Sequence, residues 1–284
     1  MPEAPLLVVK DLTVAFPGRR EMVRAVRGVS FSMGREKLGI VGESGSGKSV
    51  TGRTLLGLTR KAAEVRAETL SFDGIDLLRA DEKTWRRIRG RRISMVMQDP
   101  IFSLNPVMSV GSQIAEACRL HSRLSRGAAR HRALGLLEAV RIRDPRRVFH
   151  LYPHEVSGGM GQRIMIAMMI AAGPDLLIAD EPTSALDVTV RIQILAILDD
   201  LVTRRGMGLI FISHDLNLVA AFCDRVLIMY GGRILETCPA DRLHEARHPY
   251  TRGLLSCMPE IGGPGGRLPT LERDPAWLAG DERS

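Results

Sequence analysis

The sequence predicts an α/β domain with a largely parallel β-sheet, and three observations support this fold class. Short apolar strands alternate with helical stretches along most of the chain. A glycine-rich loop lies between one of these strands and one of these helices. A stretch from about residue 102 to residue 147 lacks strand signals, so we expect a helical subdomain inserted into the domain.

The predicted strands are short runs of β-branched and other apolar residues. One of them, Thr69–Phe72, is closed by Asp73-Gly74, a dipeptide typical of a tight hairpin turn. The other predicted strands are Leu6–Val14, Val29–Phe31, Lys37–Val41, Ile93–Met97, Leu176–Ala179 and Leu209–Ile212.

Helices are predicted where apolar residues recur three or four positions apart. This spacing runs through residues 190–205, and Gly206 then supplies a C-terminal stop. In the inserted stretch the same spacing links Leu134, Leu137 and Val140.

The composition limits where the protein works. No apolar run approaches the roughly 18 residues that a membrane-spanning helix needs, and the longest, Ile164–Ala172, is too short. The N-terminus lacks the charged and apolar regions of a secretory signal. We therefore expect a cytoplasmic protein.

The net charge of +8 raises the hypothesis of a nucleic-acid or anionic-membrane partner. However, only five of the 40 basic residues are lysine, and the arginines are spread along the whole chain. A basic arm would concentrate them, so we expect no nucleic-acid partner. The four cysteines are scattered without a CxxC pair, which predicts neither a disulfide framework nor a zinc site.

The sharpest local signal is the segment Gly42-Glu-Ser-Gly-Ser-Gly-Lys48-Ser49, which fits the phosphate-loop pattern GxxxxGK[ST]. Glycines let backbone N–H groups point at phosphate oxygens, Lys48 neutralises the β and γ phosphates, and the Ser49 hydroxyl ligates Mg²⁺. A chance match in such a chain is on the order of one percent. The predicted nucleotide contacts are Gly42, Glu43, Ser44, Gly45, Ser46, Gly47, Lys48, Ser49 and Val50.

Two carboxylates, Asp180 and Glu181, end the apolar strand that begins at Leu176. A buried strand would aim Asp180 at the Mg²⁺ hydration shell. Glu181 would then polarise the water that attacks the γ-phosphate.

One further pattern matches a zinc-binding motif but is not expected to bind zinc. The segment His244-Glu-Ala-Arg-His248 matches the zinc-protease pattern HExxH, which requires both histidines on one continuous helix. Pro249 directly follows and disfavours helical geometry at the residue before it. We therefore expect no zinc site here.

Five further motifs resemble those of the ABC transporter ATPase family, in the order and spacing of that family. Val156-Ser157-Gly158-Gly159-Met160 is similar to the signature motif, and Ser184-Ala-Leu-Asp187 is similar to the D-loop. Gln98, His214 and Phe16 resemble the Q-loop glutamine, the switch histidine and the adenine-stacking aromatic residue.

The resemblance implies a P-loop NTPase fold with a RecA-like core, an antiparallel β-subdomain and an inserted helical subdomain. The ATPase domain is expected at residues 5–258, with the helical subdomain at about 102–165 and a C-terminal extension at 259–284.

The resemblance also implies roles for these residues. Gln98 contacts Mg²⁺ and senses the permease, and His214 orients the attacking water. Phe16 stacks on adenine, with packed core as the alternative. Ser157, Gly158 and Gly159 open a helix that begins near Gln162 and bind the ATP of a second subunit, and Asp187 is also expected to contact nucleotide.

Three segments resemble the dipeptide, oligopeptide and nickel importers of this family. They are Gln98–Pro106, Glu181–Val190 and the Arg247–Leu255 segment, which contains His-Pro-Tyr-Thr. The resemblance implies a second, different ATPase subunit, two transmembrane permease subunits and an extracytoplasmic solute-binding protein. The chain is then expected at the cytoplasmic face of the inner membrane.

Other functions stay open at this point. A nickel or other metal-chelate importer is the nearest alternative. A soluble ABC ATPase acting on ribosomes or DNA is disfavoured, because the chain carries neither a second ATPase domain nor a coiled-coil insertion. A P-loop kinase would not explain the residues Ser157–Gly159 and His214. Only Cys238 and Cys257 lie near the C-terminus, so no iron–sulfur cluster is predicted.

Overall fold

The computed structural model describes residues 4–99, 103–122, 124–184, 186–257, 274 and 277. The strands are β1 (Leu7–Pro17), β2 (Met22–Met33), β3 (Lys37–Val41), β4 (Glu64–Arg66), β5 (Thr69–Phe72), β6 (Ile75–Asp76), β7 (Ile93–Val96), β8 (Leu176–Asp180), β9 (Gly208–Ser213), β10 (Arg225–Tyr230) and β11 (Arg233–Pro239). The α-helices are α1 (Lys48–Thr54), α2 (Glu82–Ile88), α3 (Val110–Ser122), α4 (Arg126–Ala139), α5 (Pro145–Val148), α6 (Gly158–Met169), α7 (Val188–Arg205), α8 (Leu216–Phe222) and α9 (Pro249–Ser256). Short 3-10 helices cover Pro153–Glu155 and Ala240–Glu245.

The chain divides into two compact units, residues 1–79 with 211–284 and residues 80–210. Residues 100–102 of the predicted extended Q-loop lie outside the described residues. So does the predicted C-terminal extension, apart from Asp274 and Trp277.

The first unit contains an antiparallel sheet with the strand order β2-β1-β5-β6, in which β4 also pairs with β1. Buried residues alternate along β1 at Leu7 and Val9 and then at Leu12 and Val14. The extra residue between these two sets produces a register shift against β2, and Asp11 there has a φ of 51°. This bulge keeps the apolar side chains on one face of the sheet.

The hairpin predicted after Thr69–Phe72 is confirmed. Asp73 and Gly74, with φ of 46° and 75°, link β5 to β6, and Phe72 pairs with Ile75. Positive φ at both central residues is the type I′ geometry that suits the twist of a two-residue hairpin.

The parallel strands of the first unit are β3 and β10, and β11 continues from β10 in antiparallel pairing. Residues Val226–Met229 are fully buried, so β10 is a core strand that the sequence analysis did not single out. Gly231 and Gly232, both with positive φ, make the turn between β10 and β11.

In the second unit β7 runs parallel to β8, and every residue of both strands is buried. Helices α3, α4 and α6 pack against one another and supply the helical part of this unit. The predicted helix over residues 190–205 is confirmed as α7, which begins two residues earlier and ends at Gly206 with a φ of 57°. Within the described ranges, no helix is both long and apolar enough to cross a membrane.

Candidate functional site

The glycine-rich loop Gly42–Ser49 connects β3 to α1 in the first unit. Its shape depends on close backbone approaches. A Cβ added to Gly42 would lie 2.0 Å from the Met229 carbonyl oxygen, and one added to Gly47 would lie 2.5 Å from the Ala25 carbonyl oxygen. The Gly232 N–H also donates to the Ser46 carbonyl at 3.1 Å. The neighbouring backbone therefore determines the shape of the loop, and only glycine fits where the contacts are closest.

Lys48 lies at the start of α1 with only 6% of its surface exposed. Its Nζ donates to the carbonyl oxygens of Gly42 at 2.7 Å and Glu43 at 2.8 Å, and to the Ser46 hydroxyl at 3.4 Å. A buried ammonium needs such acceptors. Here they hold a positive charge inside a glycine-rich loop at the start of a helix, and this arrangement suits phosphate binding.

His214 and the start of this loop line one cavity of about 480 Å³, together with Asn217 of α8 and Leu254 of α9. His214 directly follows β9 and is exposed. The next residue, Asp215, caps α8 through a 3.0 Å hydrogen bond from the Leu218 N–H. The predicted switch histidine is thus positioned between a strand end and a capped helix.

A second cavity of the first unit, of about 330 Å³, contains Phe16 and Val50 among its lining residues, with Arg53, Leu58, Thr59 and Arg60. Phe16 is only partly buried. A partly buried ring at a cavity fits stacking on a base better than packed core. The stacking role itself stays a prediction.

In the second unit, the parallel strands β7 and β8 end at the same edge, because Val96 is paired with Ala179. This pairing brings Gln98 and Glu181 together, with the Gln98 Nε2 donating to the Glu181 Oε2 at 3.4 Å. Asp180, the last residue of β8, is 3% exposed. Three of the predicted catalytic or metal-binding residues therefore share one edge.

Glu181 has a φ of 48°, an uncommon value for a residue with a side chain. Ser184 holds this conformation by donating to the Glu181 carbonyl oxygen from its N–H at 3.1 Å and its hydroxyl at 2.9 Å. Such strain costs about 1–3 kcal/mol and concentrates at functional sites. The D-loop resemblance of Ser184 did not predict this supporting contact.

The signature turn, Ser157–Gly159, differs from the prediction in one respect. Helix α6 begins at Gly158 and not near Gln162, because the Ser157 hydroxyl accepts from the Met160 N–H at 3.4 Å and so caps the helix. Ser157 and Gly158 are exposed. Gly159 is buried, and a Cβ there would lie 2.6 Å from a Val190 methyl group.

Asp187 is exposed and accepts from the Val190 N–H at 2.9 Å, which makes it the cap of α7. Ala185 of the D-loop motif lies outside the described residues. A nucleotide contact of Asp187 stays a prediction.

The two histidines of the HExxH pattern belong to different elements. His244 lies in the 3-10 helix over Ala240–Glu245, whereas His248 caps α9, its Nδ1 accepting from the Tyr250 N–H at 3.1 Å. The continuous helix that this zinc motif requires is not formed. In the part of the chain that the structure describes, no group of three or more His, Cys, Asp or Glu residues could hold a metal ion.

One contact at the loop was not expected from the sequence. The hydroxyl of Tyr250, a fully buried residue, accepts from the Glu43 N–H at 3.3 Å. The His248-Pro-Tyr-Thr segment predicted only a branch of the family. The tyrosine directly after a helix-starting proline was the signal that could have indicated an ordered contact.

The fold and the loop together define a P-loop nucleotide-binding domain. The family described as ABC transporter matches residues 26–184. A probable peptide ABC transporter ATP-binding protein of Sinorhizobium fredii is 50% identical over 276 residues, which are 95% of this chain and 82% of that protein. An oligopeptide transport ATP-binding protein of Bacillus subtilis is 48% identical over 264 residues, 92% of this chain and 74% of that protein.

Among solved structures, a dimeric ATP-binding cassette in a post-hydrolysis state with bound ADP and phosphate matches with a TM-score of 0.73 and 26% identity. The match covers 82% of this chain and 98% of that one. The chain belongs to the ABC transporter family. The predicted P-loop ABC ATPase fold is confirmed.

Proposed function

We propose that this chain is the ATP-hydrolysing subunit of an ABC importer for dipeptides or oligopeptides. The observation that carries the nucleotide site is the phosphate loop with Lys48 held inside it at 2.7–2.8 Å from two loop carbonyls. The peptide assignment is supported by relatives named for peptide transport at 48–50% identity over more than nine-tenths of this chain.

In this proposal the phosphate loop binds the triphosphate and the Phe16 cavity binds the base. Stacking of an aromatic ring on a nucleotide base contributes roughly 1–3 kcal/mol. The N–H groups of Ser44–Val50 and the Lys48 ammonium bind the phosphate oxygens.

The residues proposed for Mg²⁺ fit that ion. Ser49, Asp180 and Gln98 offer a hydroxyl, a carboxylate and an amide oxygen, which are the hard oxygen donors that Mg²⁺ prefers. These three residues include only one carboxylate, which suits an ion whose other ligands are phosphate oxygens and water. When bound, Mg²⁺ neutralises charge on the β and γ phosphates.

Glu181 is the proposed general base, which accepts a proton from the attacking water. The Gln98 amide at 3.4 Å and the Ser184 contacts to its carbonyl limit where this carboxylate can point. His214 is proposed to hydrogen-bond to the γ-phosphate and the attacking water, because it lines the same cavity as Gly42 and Glu43.

Ser157 and Gly158 are proposed to cover the nucleotide of a second ATPase subunit. Both residues are exposed at the start of α6, and the solved cassette described above is a dimer. Removal of the γ-phosphate would then weaken the closed pair of ATPase subunits. A permease can couple to this change between a closed and an open pair.

The proposed partners are a second, paralogous ATPase subunit, two permease subunits and a solute-binding protein. This chain is proposed to be peripheral on the cytoplasmic face of the inner membrane.

The nucleotide site is tested by Lys48→Ala in the full chain, with Lys61→Ala as the control. Lys61 is an exposed lysine of the same unit, so its replacement makes the same charge change outside the loop. We expect Lys48→Ala to weaken ATP binding about 10- to 100-fold, the loss typical of a charge-assisted hydrogen-bond group. Equal affinities for ATP in the two variants would contradict the proposal.

The transport part is tested on the assembled complex. Isolated from its native membrane, it should contain permease subunits, and its ATPase rate should rise when the solute-binding protein carries a dipeptide or oligopeptide. Stimulation by a nickel chelate and not by peptides would replace the peptide assignment with the metal-chelate alternative.

A further inference from the structure

The start of helix α9 is held by several hydrogen bonds. Glu236 of β11 accepts from the Arg247 N–H at 2.6 Å and from the His248 N–H at 3.4 Å. The His248 ring accepts from the Tyr250 N–H, and Pro249 occupies the first helical position, where its fixed φ suits a helix. The His-Pro-Tyr-Thr segment is therefore a rigid helix start that orients Tyr250.

Tyr250 connects this helix to the phosphate loop. Its side chain is fully buried, and its hydroxyl accepts from the Glu43 N–H at 3.3 Å. A buried hydroxyl in this position satisfies a backbone donor of the loop. One turn later, Leu254 lines the same cavity as Gly42 and His214. Two residues of α9 thus border the loop.

Two aromatic rings pack against the Tyr250 ring. Its centroid lies 4.6 Å from that of Tyr230 and 5.6 Å from that of Trp277. Trp277 also lies 5.9 Å from Tyr230 and 6.2 Å from His248, at angles typical of edge-to-face contacts. We call Tyr230, His248, Tyr250 and Trp277 the aromatic brace.

The aromatic brace is also connected to the phosphate loop through the turn that follows Tyr230. Tyr230 ends β10 and precedes the Gly231-Gly232 turn, and the Gly232 N–H donates to the Ser46 carbonyl at 3.1 Å. The brace is therefore linked to the phosphate loop at two positions, Glu43 and Ser46.

We propose that Tyr250 is a positioning residue that sets the phosphate loop through the Glu43 N–H, and that Trp277 completes the brace by covering Tyr250. The proposal rests on the nucleotide site proposed above. Its consequence is that Trp277 adjusts nucleotide affinity, because a displaced Trp277 leaves the Tyr250 ring less constrained and the loop less ordered in the nucleotide-free chain.

Tyr250→Phe tests the contact, because it removes one hydroxyl and keeps the ring. Tyr230→Phe is the matched control, since it removes a hydroxyl from the same brace but leaves the Tyr250–Glu43 hydrogen bond. The first measurement is hydrogen–deuterium exchange of amides 42–49 in the full chain without nucleotide. We expect exchange to rise about two- to tenfold in Tyr250→Phe, the range for one neutral hydrogen bond, and to stay at the wild-type rate in the control.

The second measurement is ATP hydrolysis. We expect Tyr250→Phe to raise the KM for ATP about two- to tenfold with kcat unchanged, because a preset loop affects binding in the ground state and the transition state alike. Trp277→Ala should move both readouts in the same direction by about twofold, a change within the range of one aromatic contact.

Wild-type exchange of amides 42–49 in Tyr250→Phe would overturn the proposal, as would equal effects of Tyr250→Phe and Tyr230→Phe. Unchanged readouts in Trp277→Ala would overturn the part assigned to Trp277. The exchange measurement needs no nucleotide. It therefore decides the positioning role even if Lys48→Ala shows that the proposed nucleotide site is wrong.

Discussion

The phosphate loop and the signature turn are both glycine-rich segments that lead into a helix, yet they are built differently. In the loop, Lys48 is buried and donates three hydrogen bonds to loop oxygens. In the turn, Ser157 and Gly158 are exposed, and a single 3.4 Å bond to the Ser157 hydroxyl caps the helix. The conformation of the phosphate loop is fixed by contacts within this chain. The signature turn instead leaves Ser157 and Gly158 exposed on the surface.

The glycines show the same difference. Gly47 has a φ of 96° and would bring a Cβ to 2.5 Å from the Ala25 carbonyl oxygen, whereas a Cβ at Gly158 would meet no described atom within 4 Å. Gly47 is therefore needed for the fold of its own unit, whereas Gly158 lies at the surface with free space around it. This contrast suits a binding site completed by a second subunit.

The largest expected effect is a loss of ATP hydrolysis without a loss of ATP binding. Glu181→Gln should lower kcat about 10²- to 10⁴-fold, because the proposed base can no longer accept a proton. It should leave ATP affinity near that of the wild-type chain and accumulate the closed pair with the second ATPase subunit, which can be followed by size-exclusion chromatography of the two subunits with ATP. Hydrolysis near the wild-type rate would show that another group is the base.

The next effect tests the two glycines. Gly47→Ala should lower the free energy of unfolding by about 2–3 kcal/mol, since it adds both a strained φ and a clash with backbone. Gly158→Ala should leave it within about 1 kcal/mol, because alanine favours a helical position. Urea unfolding of the two variants measures the difference. Equal destabilisation would mean that the turn is as constrained as the loop.

The third effect concerns the surface of the turn. Ser157→Arg should leave ATP binding to the single chain unchanged and lower hydrolysis by the assembled complex at least about tenfold, because a bulky side chain obstructs the partner's nucleotide.

Ser125→Arg is the matched control for this variant. Ser125 is also an exposed helix cap of the second unit, accepting from the Ala128 N–H at 3.2 Å. Its replacement removes the same kind of cap and should leave hydrolysis unchanged. A similar loss of hydrolysis in both variants would trace the effect to the lost cap and not to the turn.

The smallest expected effect concerns the stability contributed by Glu236, which holds the start of α9 beside the phosphate loop. Burial raises the pKa of Glu236, but the hydrogen bonds that its carboxylate accepts from the N–H groups of Arg247 and His248 outweigh this effect, so its pKa lies below the ordinary value. A lowered folded-state pKa stabilises the protein above the unfolded-state pKa of about 4.3, and this stabilisation is lost as the pH falls through the folded-state pKa.

Glu236→Gln should therefore have a lower urea midpoint than the wild type at pH 7, and the gap should narrow below about pH 4.3. The control is Glu245→Gln, which alters an exposed acidic residue of the neighbouring 3-10 helix. A gap that stays constant with pH would show that the Glu236 charge is not responsible.

Local patterns were enough to predict much of the fold. Residues 69–72 and 37–41 were predicted as strands with the boundaries that the structure has, because turn and loop residues directly border both. Strand β10 was not singled out, and α6 was predicted to begin four residues too late. The cap at Ser157 was overlooked because its serine was interpreted only as part of a binding motif.

The sequence alone determined the phosphate loop, the carboxylates after β8 and the family, since each depends on residue types at short spacings along the chain. The tertiary structure decided which distant segments support them. Gln98 meets Glu181 because β7 and β8 pair in parallel, and Tyr250 meets Glu43 across 207 positions of sequence. Contacts of this kind depend on how the chain folds back on itself, and no local spacing specifies them.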